Sequence, residues 1–282
     1  MNSALDTSPT LAPEVARARR PKWLALLLLA YFGIDPPAAL STNTFIEVLG
    51  RFGLSAHAVR STLSRMVDSN LMRRQRQGRE TYYALTPQAS RTLWQGNALA
   101  WRDIDSGWDG MWTLLAYSIP EDRRDIRHRV RSRLSWGGFG LLRSGVWIAP
   151  RTVDVGNLLA GLDVLNEVRV FSSTPSDGTT AADLIKEAYD LNEIADRYRR
   201  FIERWTENSA TARLEELCAF LLIRSEWQQL VQTDPHLPAD YLPEGWPAAE
   251  AERLFRSTYL RLEKPATKIA EVFFGRLFVQ PQ

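Results

Sequence analysis

Residues 41–85 contain two short helical segments with glycine between them, followed by a stretch that alternates as a two-stranded ribbon. This order of elements is typical of the winged variant of the helix-turn-helix. No other feature of the chain constrains its fold as strongly. The pattern makes double-stranded DNA the expected partner, and it makes catalysis the less expected role.

The second of these helices is predicted from Ala56 to Asn70. Ser55 is a good N-cap, and Asn70 can end the helix in a left-handed conformation. Apolar residues recur at helical spacing and predict a buried stripe: Val59, Leu63, Met66 and Val67. The opposite face carries donors and acceptors that suit base edges and phosphates in a major groove: His57, Arg60, Ser61, Ser64 and Arg65.

The ribbon is predicted to turn at Gln77-Gly78, with arginines around its tip. These are Arg73, Arg74, Arg76 and Arg79. Seven arginines and only two acidic residues lie between Arg51 and Glu80, a balance that suits the neutralisation of phosphates. A solvated basic face is the alternative interpretation. The predicted DNA-contacting set is therefore the polar face of the helix, the four arginines of the ribbon, and the capping Ser55.

The charge of the chain is uneven along its length. Its 282 residues suffice for about two or three domains, and the net charge is +2. Residues 1–105 hold 13 basic and 8 acidic residues, whereas the remainder holds 22 basic and 25 acidic residues. A basic N-terminal module joined to a mildly acidic body is consistent with DNA binding combined with a second role.

Cys218 is the only cysteine, which excludes a disulfide framework or a cysteine zinc site within one chain. A reducing cytoplasm is therefore the expected location. Basic residues before the apolar run Trp23–Ile34 resemble a secretory signal, but Asp35-Pro36-Pro37 follows in place of a cleavage motif. The run is also too short to span a bilayer. We therefore predict that Trp23–Phe32 is the first core helix of the winged module, and we expect no membrane partner.

The central segment alternates predicted strands and helices. The predicted strands are 111–119, 141–149 and 167–172, and the predicted helices are 120–136 and 154–165. Their order approximates βαββαβ with one strand missing or weak. This order suggests a ferredoxin-like unit. After a linker, the remainder is predicted to be helical at about 181–206, 209–232 and 247–262, with a further helical tail at 264–278.

An α+β chain with four successive parts is predicted. They are a flexible tail at 1–20, a winged helix domain with a connector helix at 21–104, a ferredoxin-like dimerisation domain at 105–175, and a helical domain at 181–282. Thr86 and Pro87 open the connector helix, as its cap and first residue. The free strand edges of the ferredoxin-like unit, near 111–119 or 167–172, are the candidate contacts of a homodimer.

The chain resembles the PaaX family of bacterial repressors in three successive blocks. The first block is Ser55–Leu85, with Val59-Arg60, Leu63-Ser64-Arg65 and Tyr83-Ala-Leu-Thr86. The second is Trp108–Trp112, Ile119-Pro120-Glu121, Gly137–Gly140 and Gly145–Pro150. The third is Tyr198, Phe201 and Trp205, then Asp234-Pro235, Leu237-Pro238 and Leu242–Trp246. The resemblance implies a winged helix domain, a Cas2-like ferredoxin fold that pairs subunits, and a C-terminal helical domain. It also implies repression of a catabolic operon that an aryl-CoA thioester relieves.

The chain departs from the family pattern at three places. Asn70 stands where the family usually has Gly, and Asn is the best substitute for a left-handed cap. Ser118 stands where an Asp usually precedes Ile-Pro-Glu, which argues further against Cas2-type nuclease activity. Residues 224–227 replace a His-Glu-Tyr-Arg stretch, which leaves the identity of the inducer open.

Catalytic motifs are missing from the sequence, so we expect no catalytic residue, no metal and no cofactor. Asp122, Asp125 and His128 are spaced as a loose metal set, but surface charge on an amphipathic helix is the better interpretation. The same helix carries six arginines between Arg123 and Arg133. These form a solvated face, an extra DNA contact, or a phosphate site for the CoA end of a ligand.

An effector pocket is predicted among aromatic residues of the C-terminal part. Arg224 suits an anionic group and Trp227, Trp246 and Tyr198 suit an aromatic acyl group. The alternative is that Arg224 pairs with a neighbouring Glu and that the aromatics are plain core. The expected function is a ligand-responsive repressor that binds an inverted-repeat operator of a catabolic operon and is released by an aromatic acid or its CoA thioester. The alternative function is an architectural DNA-binding protein without an effector.

Overall fold

A computed structural model describes residues 20–33, 38–91, 93, 108–176, 178–206 and 215–272, and the backbone of 273 and 276–278. The chain divides into two units. Unit 1 comprises Met1–Ala98, Trp205–Trp227 and Phe255–Gln282, and unit 2 comprises Leu99–Arg204 and Gln228–Leu254. The predicted domains follow chain order, whereas each of these two units draws on separate stretches of the chain.

Helices and strands are both present along the described chain. The helices are α1 Pro21–Phe32, α2 Thr42–Gly50, α3 Ala56–Asp68, α4 Arg124–Trp136, α5 Val155–Leu158, α6 Ala181–Ala188, α7 Leu191–Trp205, α8 Glu216–Thr233 and α9 Ala248–Phe273. The strands are β1 Ala38–Ser41, β2 Met72–Gln77, β3 Glu80–Leu85, β4 Trp112–Tyr117, β5 Gly140–Arg143, β6 Val146–Ala149, β7 Val168–Ser173 and β8 Arg276–Phe278.

The apolar run near the N-terminus forms helix α1 in unit 1, as predicted. Pro21 occupies its first turn, where the missing backbone N–H costs nothing. Its apolar residues lie on all sides of the helix and are buried, which is the pattern of an interior helix. Helix α1 packs against both α2 and α3. No helix within the described ranges is both long and apolar enough to cross a membrane.

An antiparallel sheet in the order β2-β3-β1-β8 completes unit 1. The sequence predicts the β2–β3 ribbon, but it does not indicate β1 or β8. The predicted helical tail at 264–278 is confirmed up to Phe273, where α9 ends, and is wrong at residues 276–278, which form β8 and pair with β1. Helix α9 also passes through Pro265 and does not end near residue 262. Ala266 and Ala270 beyond the proline are fully buried. This explains why the helix continues, since burial offsets the lost backbone hydrogen bond.

The sheet of unit 2 has the order β5-β6-β4-β7 with antiparallel neighbours. The expectation of a missing strand is wrong, because residues 141–149 form two short strands and not one. Gly145, with φ +79°, supplies the left-handed turn between β5 and β6. The complete βαββαβ order is that of a ferredoxin-like unit. Its helical side is filled by apolar residues that include Leu115, Val130, Leu134 and Trp147.

Two predicted helices of unit 2 differ in extent from the structure. The helix predicted at 154–165 is only α5, because the following Gly161 and Asp163 both adopt positive φ, a backbone conformation that ends a helix. The helix predicted at 181–206 is broken into α6 and α7. Between them Tyr189 is extended and its hydroxyl donates to the Ile148 carbonyl oxygen 2.7 Å away, while Asp190 accepts from the Glu193 amide at the start of α7.

The connector helix begins as predicted, because Thr86 Oγ1 accepts a hydrogen bond from the Ala89 amide at 3.3 Å. Residues 87–91 are helical. The rest of the predicted connector, from residue 94, lies outside the described residues, as do residues 1–19 of the predicted tail and residues 209–214 of the second C-terminal helix.

Candidate nucleic-acid interface

Helix α3 begins and ends as the sequence predicts. Ser55 Oγ accepts a hydrogen bond from the Ala58 amide at 3.2 Å, which satisfies one of the free donors of the first turn. Asn70, with φ +55°, lies just beyond the helix in the left-handed conformation. These two local signals position the helix along the chain, so its register relative to the core follows from them.

The apolar stripe of α3 is buried as predicted at three of its four positions. Val59, Leu63 and Met66 are buried, whereas Val67 is half-buried. Thr62 is also buried, although its hydroxyl gave no signal for an interior position. The stripe packs towards α1 and α2. The residues on the opposite side of the helix are therefore turned away from the core.

All predicted contact residues of this helix are exposed. They are Ser55, His57, Arg60, Ser61, Ser64 and Arg65. Arg65 reaches back to Thr62 Oγ1 at 3.4 Å, a long and weak hydrogen bond. Arg60 has no bonding partner among the described residues. The face therefore presents hydroxyl, imidazole and guanidinium groups that are available to an external ligand.

The ribbon after α3 forms the hairpin β2–β3. Its strands pair from Met72↔Leu85 to Gln77↔Glu80, and Gly78, with φ +61°, occupies the turn. Among its arginines, Arg74, Arg76 and Arg79 are exposed, whereas Arg73 is half-buried. The Nε of Arg76 donates to the Gly78 carbonyl oxygen at 3.3 Å. The hairpin thus carries its positive charge at and near an exposed tip.

Positive charge remains in excess on this surface after the internal contacts of its charged residues are counted. Glu80 accepts a hydrogen bond from the Tyr82 hydroxyl at 2.5 Å. That bond raises the pKa of Tyr82. Arg51 forms an ion pair with Glu215 and is thereby neutralised. Six arginines between residues 60 and 79 remain, and Asp68 is the other carboxylate of this segment. A surface of this charge attracts a polyanion.

The arginine-rich helix α4 in unit 2, together with the residue before it, divides into two groups. Three arginines are held by the protein: Arg123 pairs with Glu167, Arg127 pairs with Glu121, and Arg133 donates to the carbonyl oxygens of Leu158 and Ala160. The other three are exposed: Arg124, Arg129 and Arg131. The first three arginines form contacts within unit 2. Of these six, only Arg124, Arg129 and Arg131 are available to solvent or to a ligand.

The residues predicted to hold an effector belong to different units. Arg224 and Trp227 lie in unit 1, whereas Tyr198 and Trp246 lie in unit 2. In unit 1 the guanidinium of Arg224 lies 4.9 Å from the centre of the Tyr31 ring. Burial lowers the pKa of Arg224, and it remains charged near neutral pH. The four predicted residues are therefore divided, with two of them in each unit.

These side chains have close partners inside the protein. Trp227 stacks on Phe255 with ring centres 4.8 Å apart and an interplanar angle of 10°. The buried hydroxyl of Tyr198 donates to Asp234, and burial followed by the Asp234 charge raises its pKa well above the ordinary value. Trp246 is half-buried.

The sequence reasoning missed a polar group in unit 1 around Glu263. The hydroxyls of Tyr31 and Tyr259 both donate to Glu263 Oε1, at 3.1 and 3.0 Å. Tyr259 and Glu263 are four residues apart on one helix, a spacing that places two side chains side by side, so the sequence could have predicted their contact. Tyr31 lies near the other end of the chain, so no local pattern connects it to them.

Comparison with known proteins gives three matching family models. Residues 24–89 match the model described as PaaX-like protein, residues 105–185 match the PaaX protein central Cas2-like domain, and residues 189–272 match the PaaX-like protein C-terminal domain. Together they cover more than four fifths of the chain.

Two similar proteins are also found. The transcriptional repressor PaaX of Escherichia coli (strain K12) is 27% identical over 237 residues, which cover 79% of this chain and 74% of that protein. The solved structure of the uncharacterized protein Rv0674 from Mycobacterium tuberculosis aligns with a TM-score of 0.58 and 24% identity, and it covers 88% of this chain and 96% of that one. This second likeness concerns the fold alone.

Proposed function

This chain belongs to the PaaX family, which is a family of regulators rather than enzymes, and from that premise we propose that it is a transcriptional repressor. The observation that carries the proposal is the exposed polar face of α3 beside the arginine-bearing β2–β3 hairpin. A helix with an apolar inner stripe and a polar outer face, followed by a basic hairpin, is the arrangement of a winged helix-turn-helix.

In this proposal α3 is the recognition helix and enters the major groove. Arg60 and Arg65 are then the side chains suited to guanine, and Ser61 and Ser64 suit several bases. The arginines of the hairpin contact phosphates and set the register of the protein on the duplex without reading bases. The uneven charge of the chain supports this division, since its basic excess lies in the part that holds both elements.

A homodimer is part of the proposal, because one such module buries too little surface for typical operator affinity. Of the two predicted contact strands, the segment 111–119 is excluded as a free edge, since β4 is paired on both sides by β6 and β7. Strand β7 lies at the edge of the sheet and exposes both Val170 and Phe171. We assign the dimer contact to this edge, where two copies of β7 can pair about a two-fold axis.

The effector is proposed to be an aromatic acid or its CoA thioester, and a catabolic operon is the proposed target. The C-terminal aromatic residues and the buried cation of Arg224 support this choice, because they offer stacking surfaces and a partner for an anion. Binding at these positions requires Arg224 and Trp227 to leave their present contacts with Tyr31 and Phe255. A reducing cytoplasm is the compartment in which such a repressor acts.

The experiment that tests the repressor role is selection of a bound sequence. The full-length protein is mixed with a pool of random double-stranded DNA, and the retained fragments are sequenced after several rounds. We expect an inverted repeat whose half-sites lie about one helical turn apart, as a two-fold dimer with one recognition helix per subunit requires. Retention of DNA without any shared sequence would favour an architectural DNA-binding protein and would overturn the proposal.

A further inference from the structure

Helix α1 is attached to the C-terminal helices by polar bonds inside unit 1. Trp23 Nε1 donates to the hydroxyl of Ser225 on α8. The Tyr31 hydroxyl donates to Glu263 Oε1 on α9 at 3.1 Å. Both bonds join residues from opposite ends of the chain. The donors lie on α1, the first helix of the proposed DNA-binding module, and the acceptors lie on α8 and α9, which follow that module in the chain.

A buried charge lies at the centre of this attachment. Arg224 on α8 is 9% exposed, and its guanidinium lies over the Tyr31 ring. A buried cation is costly unless opposite charge and hydrogen-bonding groups surround it. The carboxylate of Glu263 supplies negative charge, and the Tyr31 and Tyr259 hydroxyls donate to it. We name these four residues, Tyr31, Arg224, Tyr259 and Glu263, the α1 anchor.

The Tyr31 ring has an apolar neighbour as well as polar ones. Its ring meets that of Phe220 edge to face, with centres 4.6 Å apart. Phe220 in turn contacts the ring of Tyr259 at 5.2 Å. The aromatic packing therefore holds the Tyr31 ring in place independently of its hydroxyl. Loss of the hydroxyl alone removes the hydrogen bonds of Tyr31 to α9, among them the one to Glu263, and leaves the packing intact.

Helix α1 connects the anchor to the proposed recognition helix. It packs directly against α3, whose inner residues Val59, Leu63 and Met66 are buried. Protein interiors are close-packed, so a shift of α1 moves the helix against which it packs. The exposed face of α3 follows rigidly, because the helix moves as one element.

From these contacts we propose that Tyr31 and Glu263 are positioning residues for DNA recognition: their bond holds α1, and through it α3, in the orientation that reads an operator. The inference rests on the proposed function and deepens it, since it assigns control of the recognition helix to residues that do not contact DNA. It also makes α8 and α9 structural parts of the DNA-binding module.

Two tyrosine-to-phenylalanine substitutions distinguish a role in positioning α3 from a role in the stability of the protein. Tyr31→Phe removes the hydroxyl by which α1 bonds to α9, whereas Tyr259→Phe removes a hydroxyl that belongs to α9 and leaves the bond from Tyr31 to Glu263 in place. Each variant loses one hydroxyl and keeps its ring. We expect both to lower the midpoint of thermal unfolding by similar amounts. We expect only Tyr31→Phe to raise the Kd for the selected operator, by about ten-fold, the effect typical of one bond to a charged group.

The measurement is a fluorescence-anisotropy titration of the full-length protein with the selected operator and with a random-sequence duplex of equal length. The random duplex reports phosphate contacts only, so its Kd is expected to stay unchanged in both variants. Operator affinity of Tyr31→Phe equal to that of Tyr259→Phe would overturn the inference. Failure of the wild-type protein to prefer any operator would instead overturn the proposed function.

Glu263→Gln provides a second test if Tyr31→Phe does not fold. The neutral amide oxygen accepts the Tyr31 hydroxyl more weakly than a carboxylate does, and it no longer compensates the charge of Arg224. We expect a loss of operator preference in the same direction with unchanged binding of the random duplex. A folded Glu263→Gln variant with wild-type operator preference would contradict the inference.

Discussion

Gly140 lies so close to Ala188 that a Cβ atom added to it would stand 2.6 Å from the Ala188 carbonyl oxygen. The two residues belong to β5 and to the end of α6, both in unit 2. Contacts of this length are shorter than van der Waals packing permits. The close approach of the helix to the strand therefore depends on the absence of a side chain at residue 140.

We predict that Gly140→Ala destabilises the protein by about 1–3 kcal/mol, because the methyl group forces the backbone of α6 away from β5. The control is Gly156→Ala in α5, where an added Cβ would meet nothing nearer than 3.4 Å. Thermal unfolding followed by circular dichroism measures both. A Gly140→Ala variant as stable as the control would show that the two elements separate at little cost.

Replacement of Arg60 by Ala is expected to cost about 1–3 kcal/mol of operator binding, the contribution of a side chain that reads a base. The variant should also tolerate more sequences at one base-pair position. Arg253→Ala serves as the matched control, since it removes one exposed positive charge from unit 2. Equal affinities of the two variants in a gel-shift titration would exclude Arg60 from base recognition.

Arg76 and Arg79 at the hairpin are expected to act on all sequences alike. Each change to Ala should weaken operator and random DNA by the same factor and should lower the slope of log Kd against log salt concentration by about one unit. Binding titrations at several salt concentrations give this slope. An unchanged slope for both variants would mean that the hairpin does not contact phosphates.

The proposed dimer contact can be tested by placing a charged residue on β7, at the edge of the sheet of unit 2. Phe171 on β7 is 53% exposed. Its replacement by Lys opposes the pairing of strand edges, so we expect light scattering at micromolar concentration to show a monomer. Leu260→Lys is the control, because Leu260 is similarly exposed but lies on α9 in unit 1. A Phe171→Lys variant that remains dimeric would move the contact away from β7.

Effector release is expected to depend on Arg224 and Trp227. In Arg224→Met and Trp227→Leu variants that still bind operator, a higher ligand concentration should be needed to release the DNA, because an anion or an aromatic group loses its partner. The probes are a panel of CoA thioesters and free aromatic acids added to a preformed complex. Release of both variants at the wild-type concentration would place the pocket elsewhere, with the exposed arginines of α4 as the next candidates.

Several local features of the fold were predictable from short stretches of sequence. Ser55 caps α3, Asn70 ends it, and Thr86 caps the connector helix, each through its own conformation or a bond to a near neighbour in the chain. Such signals involve residues only a few positions apart, so they can be recognised in the sequence without knowledge of the tertiary structure. The turn at Gly145 has a local signal too, the Ser144-Gly145 dipeptide, but the apolar residues on both sides of it favour a single strand.

Other features could not be predicted because their causes lie far apart in the chain. The helix α9 continues through Pro265, and Ala266 and Ala270 beyond the proline are buried, which is a property of the tertiary structure and not of the local sequence. Strand β8 exists through pairing with β1, which comes from the opposite end of the chain. The sequence around Arg224 and Trp227 suggests a pocket. In the structure both residues are buried against partners from α1 and α9, namely Tyr31 and Phe255.

By itself, the sequence determined the capped helix α3, the hairpin with its arginines, the apolar first helix and the alternation of strands and helices in the middle of the chain. These follow from periodicity, capping and turn chemistry, which act over a few residues. Only the tertiary structure decided that β4 is interior and β7 an edge, and that Tyr31, Arg224 and Glu263 meet. The physical reason is that strand order and buried charge depend on which distant segments pack together, and such packing is a property of the whole chain.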